Sequence, residues 1–216
     1  MKGLLIANGI IRDKSYVLDR MNTKEYDMVV CADGGANNAY ELGVLPHIIA
    51  GDLDSIRPEV QTFFEEKGVE FQRHSIHKNE TDAEIALAVL TNAGCTDIDL
   101  MGCLGDRVDH TLGNVYLLVE LARQGIQATM VDENHTIRVI MESATIATRP
   151  GQTVSLLPLS EKVEQVTLTG LAYPLDQEDL TMGYSRGISN VAQKKEATIQ
   201  FSKGILLVVQ LEKTDE

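Results

Sequence analysis

Met28-Val29-Val30-Cys31-Ala32-Asp33-Gly34-Gly35-Ala36-Asn37-Asn38-Ala39-Tyr40-Glu41-Leu42 passes from an apolar run through a Gly-Gly turn into a stretch with helical spacing. Five consecutive apolar residues read as a strand buried on both faces, as in parallel sheets covered by helices. The same texture recurs on either side. Apolar runs stand at 3–7, 47–50, 98–101 and 128–131, and helical spacing at 60–67, 81–91 and 112–123. In the last of these, Val115, Leu118, Val119 and Ala122 recur at helical intervals. Helices alternating with buried strands imply crossover units, so this part is predicted to be α/β with a mostly parallel sheet. Pro58 suits the first turn of its helix, with Ser55 a nearby candidate cap.

Beyond about Glu133 the long helical patterns stop. Short β-rich runs follow at 136–140, 153–157, 163–169, 197–201 and 205–211. The last two, separated by Ser202-Lys203-Gly204, look like a hairpin. The sequence therefore predicts two domains, 1–132 and 133–216, the second a small antiparallel β-sandwich.

The 216 residues suffice for a real core, and 44% hydrophobic with 24% charged residues is ordinary globular composition. A net charge of -13 argues against nucleic acid or an anionic membrane as partner, since both would be repelled. No apolar run is long enough to span a bilayer. The apolar start is interrupted by Asn8 and Gly9 and reads as a first buried strand rather than a signal peptide. Cys31, Cys95 and Cys103 are few, odd in number and far apart, which suggests reduced thiols and a cytoplasmic location.

In open parallel sheets ligands bind beyond the carboxyl ends of the strands. The polar clusters fall there: Asp33-Gly34-Gly35-Ala36-Asn37, Gly51-Asp52-Leu53-Asp54-Ser55, Lys78-Asn79-Glu80-Thr81-Asp82 and Gly105-Asp106-Arg107-Val108-Asp109-His110. Any one loop is explained by turn and cap chemistry. Four carboxylate-bearing loops on one edge would repel one another unless a cation or protons compensate. Hard oxygen ligands favour magnesium, which bridges carboxylates to phosphate oxygens. Asp52 and Asp54 are the strongest candidates for metal ligands, joined by Asp33, Asp82 and Asp109. Gly34-Gly35 before a helix lets backbone N–H groups approach a phosphate. Lys78 and Arg107 are placed to meet phosphate charge or to pair with neighbouring acids. Neither a GxGxxG fingerprint nor a Walker A sequence occurs. Cys103 reads as a structural thiol and the histidines lack metal-ligand spacing. These residues alone leave open a phosphoryl-transferring enzyme, a magnesium-dependent phosphohydrolase and a nucleotide-binding sensor.

The ordered set of loops, together with Gly170-Leu171-Ala172-Tyr173-Pro174-Leu175 and Gly187-Ile188-Ser189-Asn190, resembles the thiamine pyrophosphokinase family over nearly the whole chain. The resemblance implies a Rossmann-like α/β nucleotide-binding catalytic domain followed by a β-sandwich for thiamine binding and dimerisation. It implies transfer of a pyrophosphoryl group from Mg-ATP to the hydroxyl of thiamine, giving thiamine diphosphate and AMP. By resemblance Asp52, Asp54, Asp82, Arg107 and Asp109 are catalytic, and Mg2+ is held by Asp52, Asp54 and Asp82. Asp33, Gly34, Gly35, Asn37, Ser55, Lys78 and Thr81 would serve the nucleotide. Ser189 and Asn190 would face thiamine from the second subunit of a homodimer. Tyr173 and Tyr184 are candidates for the aromatic partner, because the chain has no tryptophan.

Overall fold

The computed structural model describes residues 1–75, 79–105 and 107–212. The chain divides into two compact units, Met1–Glu133 and Asn134–Glu216. The first runs β1 (Lys2–Ile6), α1 (Lys14–Lys24), β2 (Met28–Ala32), α2 (Gly35–Leu42), β3 (Ile48–Gly51), α3 (Pro58–Glu66), β4 (Glu70–Arg73), α4 (Asp82–Asn92), β5 (Asp97–Met101), α5 (Val108–Arg123) and β6 (Gln127–Val131). Its strands lie in the order β6-β5-β1-β2-β3-β4, and every pair is parallel. Leu4, Leu5 and Ile6, Val30 and Cys31, and Ile49 are fully buried, as an apolar strand between two helical layers requires. α4 packs across β1, β2 and β3, burying Ile85, Ala86, Leu87 and Leu90, while α2 lies on β1 and β2.

Strands β2, β3 and β4 are added on one side of β1, and the chain then returns to add β5 and β6 on the other. The winding reverses between β1 and β5. Open α/β sheets bind ligands at such a point.

Two elements here lack a strong signal in the sequence. α1 begins where Asp13 accepts the N–H groups of Ser15 and Tyr16 at 3.0 and 3.2 Å. Its one buried residue is Val17, so no apolar stripe announces it. β4 is polar and has no fully buried residue. Pro58 does open α3, but the cap position is Arg57, not Ser55. Ser55 turns back instead, its hydroxyl donating to Asp54 at 2.9 Å and its N–H to Asp33 at 3.4 Å.

β5 carries a carboxylate with no solvent exposure, Asp99. Arg20 Nε and Lys24 Nζ, both from α1, donate to it at 2.8 Å each, and the Tyr26 hydroxyl donates at 2.5 Å. Burial by itself would raise the Asp99 carboxyl. The bond and charge of Arg20, with the Lys24 and Tyr26 bonds, outweigh it and hold the group below its ordinary value.

The second unit contains β7 (His135–Ile140), β8 (Ala144–Ala147), β9 (Thr153–Pro158), β10 (Lys162–Thr169), β11 (Glu178–Thr181), β12 (Asn190–Val191), β13 (Glu196–Gln200) and β14 (Leu206–Leu211). Two antiparallel layers, β12-β9-β14-β7 and β11-β10-β13-β8, share one core. Val154, Leu156, Leu206 and Val208 of the first layer meet Ile146, Val163, Leu168 and Ile199 of the second. This is the expected antiparallel sandwich. The expected hairpin is absent: β13 pairs with β8 and β10, and β14 with β7 and β9. Ser202-Lys203-Gly204 is therefore a crossing between layers. Gly204 sits at φ 128° against Lys162 and Val163, where a Cβ would strike backbone, and Glu164 N donates to Lys203 O at 2.8 Å.

Candidate functional site

Asp33 follows β2, Asp52 follows β3, and Asp82 begins α4. Each of these acids offers a carboxylate oxygen within 4.8 Å of the other two. Asp33 is buried and takes a left-handed φ of 43°, held by its N–H donating to Ala50 O at 2.9 Å. Burial raises its carboxyl above the ordinary range, against the bonds from Ser55 and Gly34 that favour the anion. The Asp82 charge adds to the rise. A divalent cation here would favour the ionised form, so cation and proton compete for the site. Three hard oxygens gathered this closely are the donor set a divalent cation such as magnesium would take.

Gly51 underlies the acids. It has φ 150°, and a Cβ would lie 2.9 Å from both Asp33 Cβ and Asp82 Oδ1. Gly51→Ala is expected to push these acids apart and weaken Mn2+ binding, read by electron paramagnetic resonance titration, by about 10-fold. An unchanged titration would remove Gly51 from the account.

α2 starts beside the acids with Gly34 at the cap position and no side-chain cap. A Cβ on Gly34 would strike the Asn8 side chain, and one on Gly35 would strike the Ile6 carbonyl. The helix start thus carries no side-chain cap, and the N–H groups of Ala36 and Asn37 donate to the carbonyls of Asp33 and Gly34 at 3.0 Å each. Asn37, one turn in, donates to Ser55 O at 2.9 Å and accepts Arg57 N at 3.1 Å, tying the 51–57 loop to α2.

Asp54 is exposed and lies outside the group of three acids. Thr81 caps α4, its hydroxyl accepting Glu84 N at 3.2 Å. Arg107 and Asp109, both exposed at the start of α5, form a two-pronged pair at 2.9 and 2.6 Å. The Arg107 bond holds the Asp109 carboxyl well below the usual carboxylate range. Lys78 lies outside the described residues. In the second unit Asn190 is buried, and Ser189, at φ 58°, donates its N–H to Ser155 Oγ at 3.0 Å.

Residues 20–130 match the family model described as the thiamin pyrophosphokinase catalytic domain, and residues 134–206 match its vitamin B1 binding domain. The chain belongs to the thiamine pyrophosphokinase family. It is 28% identical over 190 residues to thiamine pyrophosphokinase of Bacillus subtilis, covering 87% of this chain and 89% of that one. Its fold superposes on the crystal structure of the Bacillus subtilis enzyme with a TM-score of 0.87 at 25% identity, over 98% of this chain and 99% of that one. Thiamin pyrophosphokinase of Geobacillus thermodenitrificans gives 0.84 at 27%, over 100% and 99%. The protein is thus an enzyme of thiamine diphosphate synthesis, with an α/β first unit and a β-rich second.

Within this pyrophosphokinase fold, residues that sequence reasoning passed over surround the start of α2. Asn38 Nδ2 donates to the carbonyls of Ala7 and Gly9 at 2.8 and 2.9 Å, fixing the loop that carries Asn8. Gly9 N donates to Gly102 O at 2.7 Å, so the loops after β1 and β5 interlock through backbone. The signal was Asn8-Gly9 ending an apolar strand, and the poor helix former Asn38 in a first turn. Cys103 is buried, its thiol pushed up to about 12 by burial, which suits packing rather than nucleophilic attack. Among the described residues no helix is long and apolar enough to cross a membrane.

Proposed function

We propose that the protein transfers a pyrophosphoryl group from Mg-ATP to the hydroxyl of thiamine, releasing AMP, as a cytoplasmic homodimer with its site at the subunit interface. The first unit would be the nucleotide-binding catalytic domain, the second the thiamine-binding and dimerisation domain. The observation that carries the reading is the gathering of Asp33, Asp52 and Asp82 beside the uncapped N-terminus of α2. Asp33, Asp52 and Asp82 would hold magnesium, with Asp54 as a fourth acid of the same loop cluster. Bound there, magnesium supplies neutralisation of phosphate charge.

The positive end of α2 would attract phosphate oxygens, and Gly34 and Gly35 would keep the approach open. The thiamine oxygen attacks the β-phosphorus, its bond to phosphorus forms as the bond to the AMP oxygen breaks, and its proton passes to a carboxylate. Positioning and charge stabilisation carry such a reaction. Asp109 is a weak base while Arg107 grips it. Turning Arg107 toward the phosphates would free that carboxylate, so the two roles are linked. Asp82 is the second candidate for the proton.

Thiamine with Mg-ATP should yield AMP and thiamine diphosphate in equal amounts. ADP as the coproduct would indicate single-phosphate transfer and overturn the reading. Val108, Leu112 and Tyr116, exposed at four-residue spacing on α5, supply an apolar stripe that supports self-association. Sedimentation should give twice the chain mass, and Tyr116→Lys should shift it toward monomer.

A further inference from the structure

The first turn of α2 carries two adjacent asparagines, Asn37 and Asn38, that reach in different directions. Asn38 serves the loop after β1 through the carbonyls of Ala7 and Gly9. Asn37 serves the loop after β3: its Nδ2 donates to Ser55 O at 2.9 Å and its Oδ1 accepts Arg57 N at 3.1 Å. A flipped amide would set donor against the Arg57 N–H and oxygen against the Ser55 carbonyl, so the two bonds together fix one orientation. Four residues on, and on the same face of the helix, Glu41 pairs with the Arg57 guanidinium at 3.2 Å. Both of those groups are exposed, and such a pair holds weakly.

Leu53 and Ile56 are buried and root this loop in the core. Apolar burial is non-directional, so it leaves the heading of the backbone to hydrogen bonds. Ser55 N reaches Asp33 Oδ1 at a long 3.4 Å. Asp33 lies four residues before Asn37, in the turn that opens α2, and Asp52 lies three residues before Ser55. Asn37 therefore spans the two segments whose carboxylates gather within 4.8 Å. We propose that Asn37 is a positioning residue that sets Asp52 against Asp33, its amide serving the loop and not the nucleotide. The inference rests on Asp33, Asp52 and Asp82 holding a divalent cation.

Asn37→Ala should weaken Mn2+ binding to the nucleotide-free protein about 10-fold in an electron paramagnetic resonance titration. The backbone amides of 52–57 should also exchange faster with deuterium. Asn38→Ala removes two bonds to backbone from the same helical turn and is the control. It should lower the melting temperature to a similar extent and leave Mn2+ affinity unmoved. Asn37→Gln carries the same amide one methylene further and gives the reading should the alanine variant not fold, because it displaces the loop without releasing it. Wild-type Mn2+ affinity in folded Asn37→Ala, or in Asn37→Gln where alanine does not fold, overturns the inference. A raised ATP KM at that unchanged affinity would mark Asn37 as a nucleotide contact instead. Equal weakening by Asn38→Ala also overturns it, since lost stability would then explain the effect. Wild-type protein that binds no Mn2+ counts against the metal site itself. The exchange of 52–57 is read without metal, and unchanged exchange in Asn37→Ala overturns the inference separately.

Discussion

Asp52→Asn is expected to lower turnover by about 10²–10³-fold, while the metal-free protein melts no lower than wild type. The side chains are nearly the same size, so packing is kept. What changes is charge: one of three carboxylates that share a space of 4.8 Å becomes neutral. Without a cation these groups repel, and removing one should add about 0.5–1 kcal/mol of stability. With substrates present, the loss falls on the charge that holds the cation against phosphate. Activity and melting temperature should therefore move in opposite directions. A variant that loses both would mark Asp52 as a structural turn residue, and one that keeps turnover would remove it from the site. Asp54→Ala is expected to lose on the order of 10²-fold.

Asp99→Ala should destabilise the first unit by about 3 kcal/mol, the largest stability effect expected of a single polar substitution here. It leaves Arg20 and Lys24 facing a cavity on β5, although both retain partial exposure and turn toward water. Asp99→Leu should cost less, because it fills the volume. Denaturant midpoints of the two variants test this, and equal losses would show that charge pairing dominates packing. The pH dependence has a definite sign. The Asp99 carboxyl is held below its unfolded value of about 3.9, so its contribution is present above that pH and fades as pH falls through the folded value. Asp99→Leu should show a flatter acid limb in its stability profile.

The parallel sheet was legible because five buried strands leave short, mainly apolar runs, broken in β5 by Asp99 and in β6 by Thr129. What escaped was whatever is built from polar residues. α1 is fixed by the Asp13 cap and by its cations reaching Asp99, neither of which gives a 3.6-residue apolar period. β4 pairs with β3 through backbone, which a sequence does not display. The hairpin expectation failed because loop length does not tell a turn within a layer from a crossing between layers. At the site, proximity in the chain favoured Asp52 with Asp54, whereas proximity in space groups Asp52 with Asp33 and Asp82. Leu53 between Asp52 and Asp54 takes a left-handed φ of 67°, so the loop is not extended there, while the carboxyl ends of neighbouring strands bring distant acids together. Asn190, which the family resemblance assigns to thiamine, also donates to Tyr173 O and accepts the N–H groups of Tyr173 and Val191.

The missing Cβ atoms at Gly34, Gly35 and Gly51 also bear on how this enzyme can diversify. A surface made of main chain recognises an anion by shape and offers nothing for substitution to retune. A Cβ at these three positions meets the Asn8 side chain, the Ile6 carbonyl, or Asp33 and Asp82, whatever the polarity of the rest of the side chain. Saturation mutagenesis should find them intolerant without regard to chemistry. Selection for a different nucleotide or a thiamine analogue would have to act on the side-chain-bearing rim, leaving the proposed phosphate floor as it is.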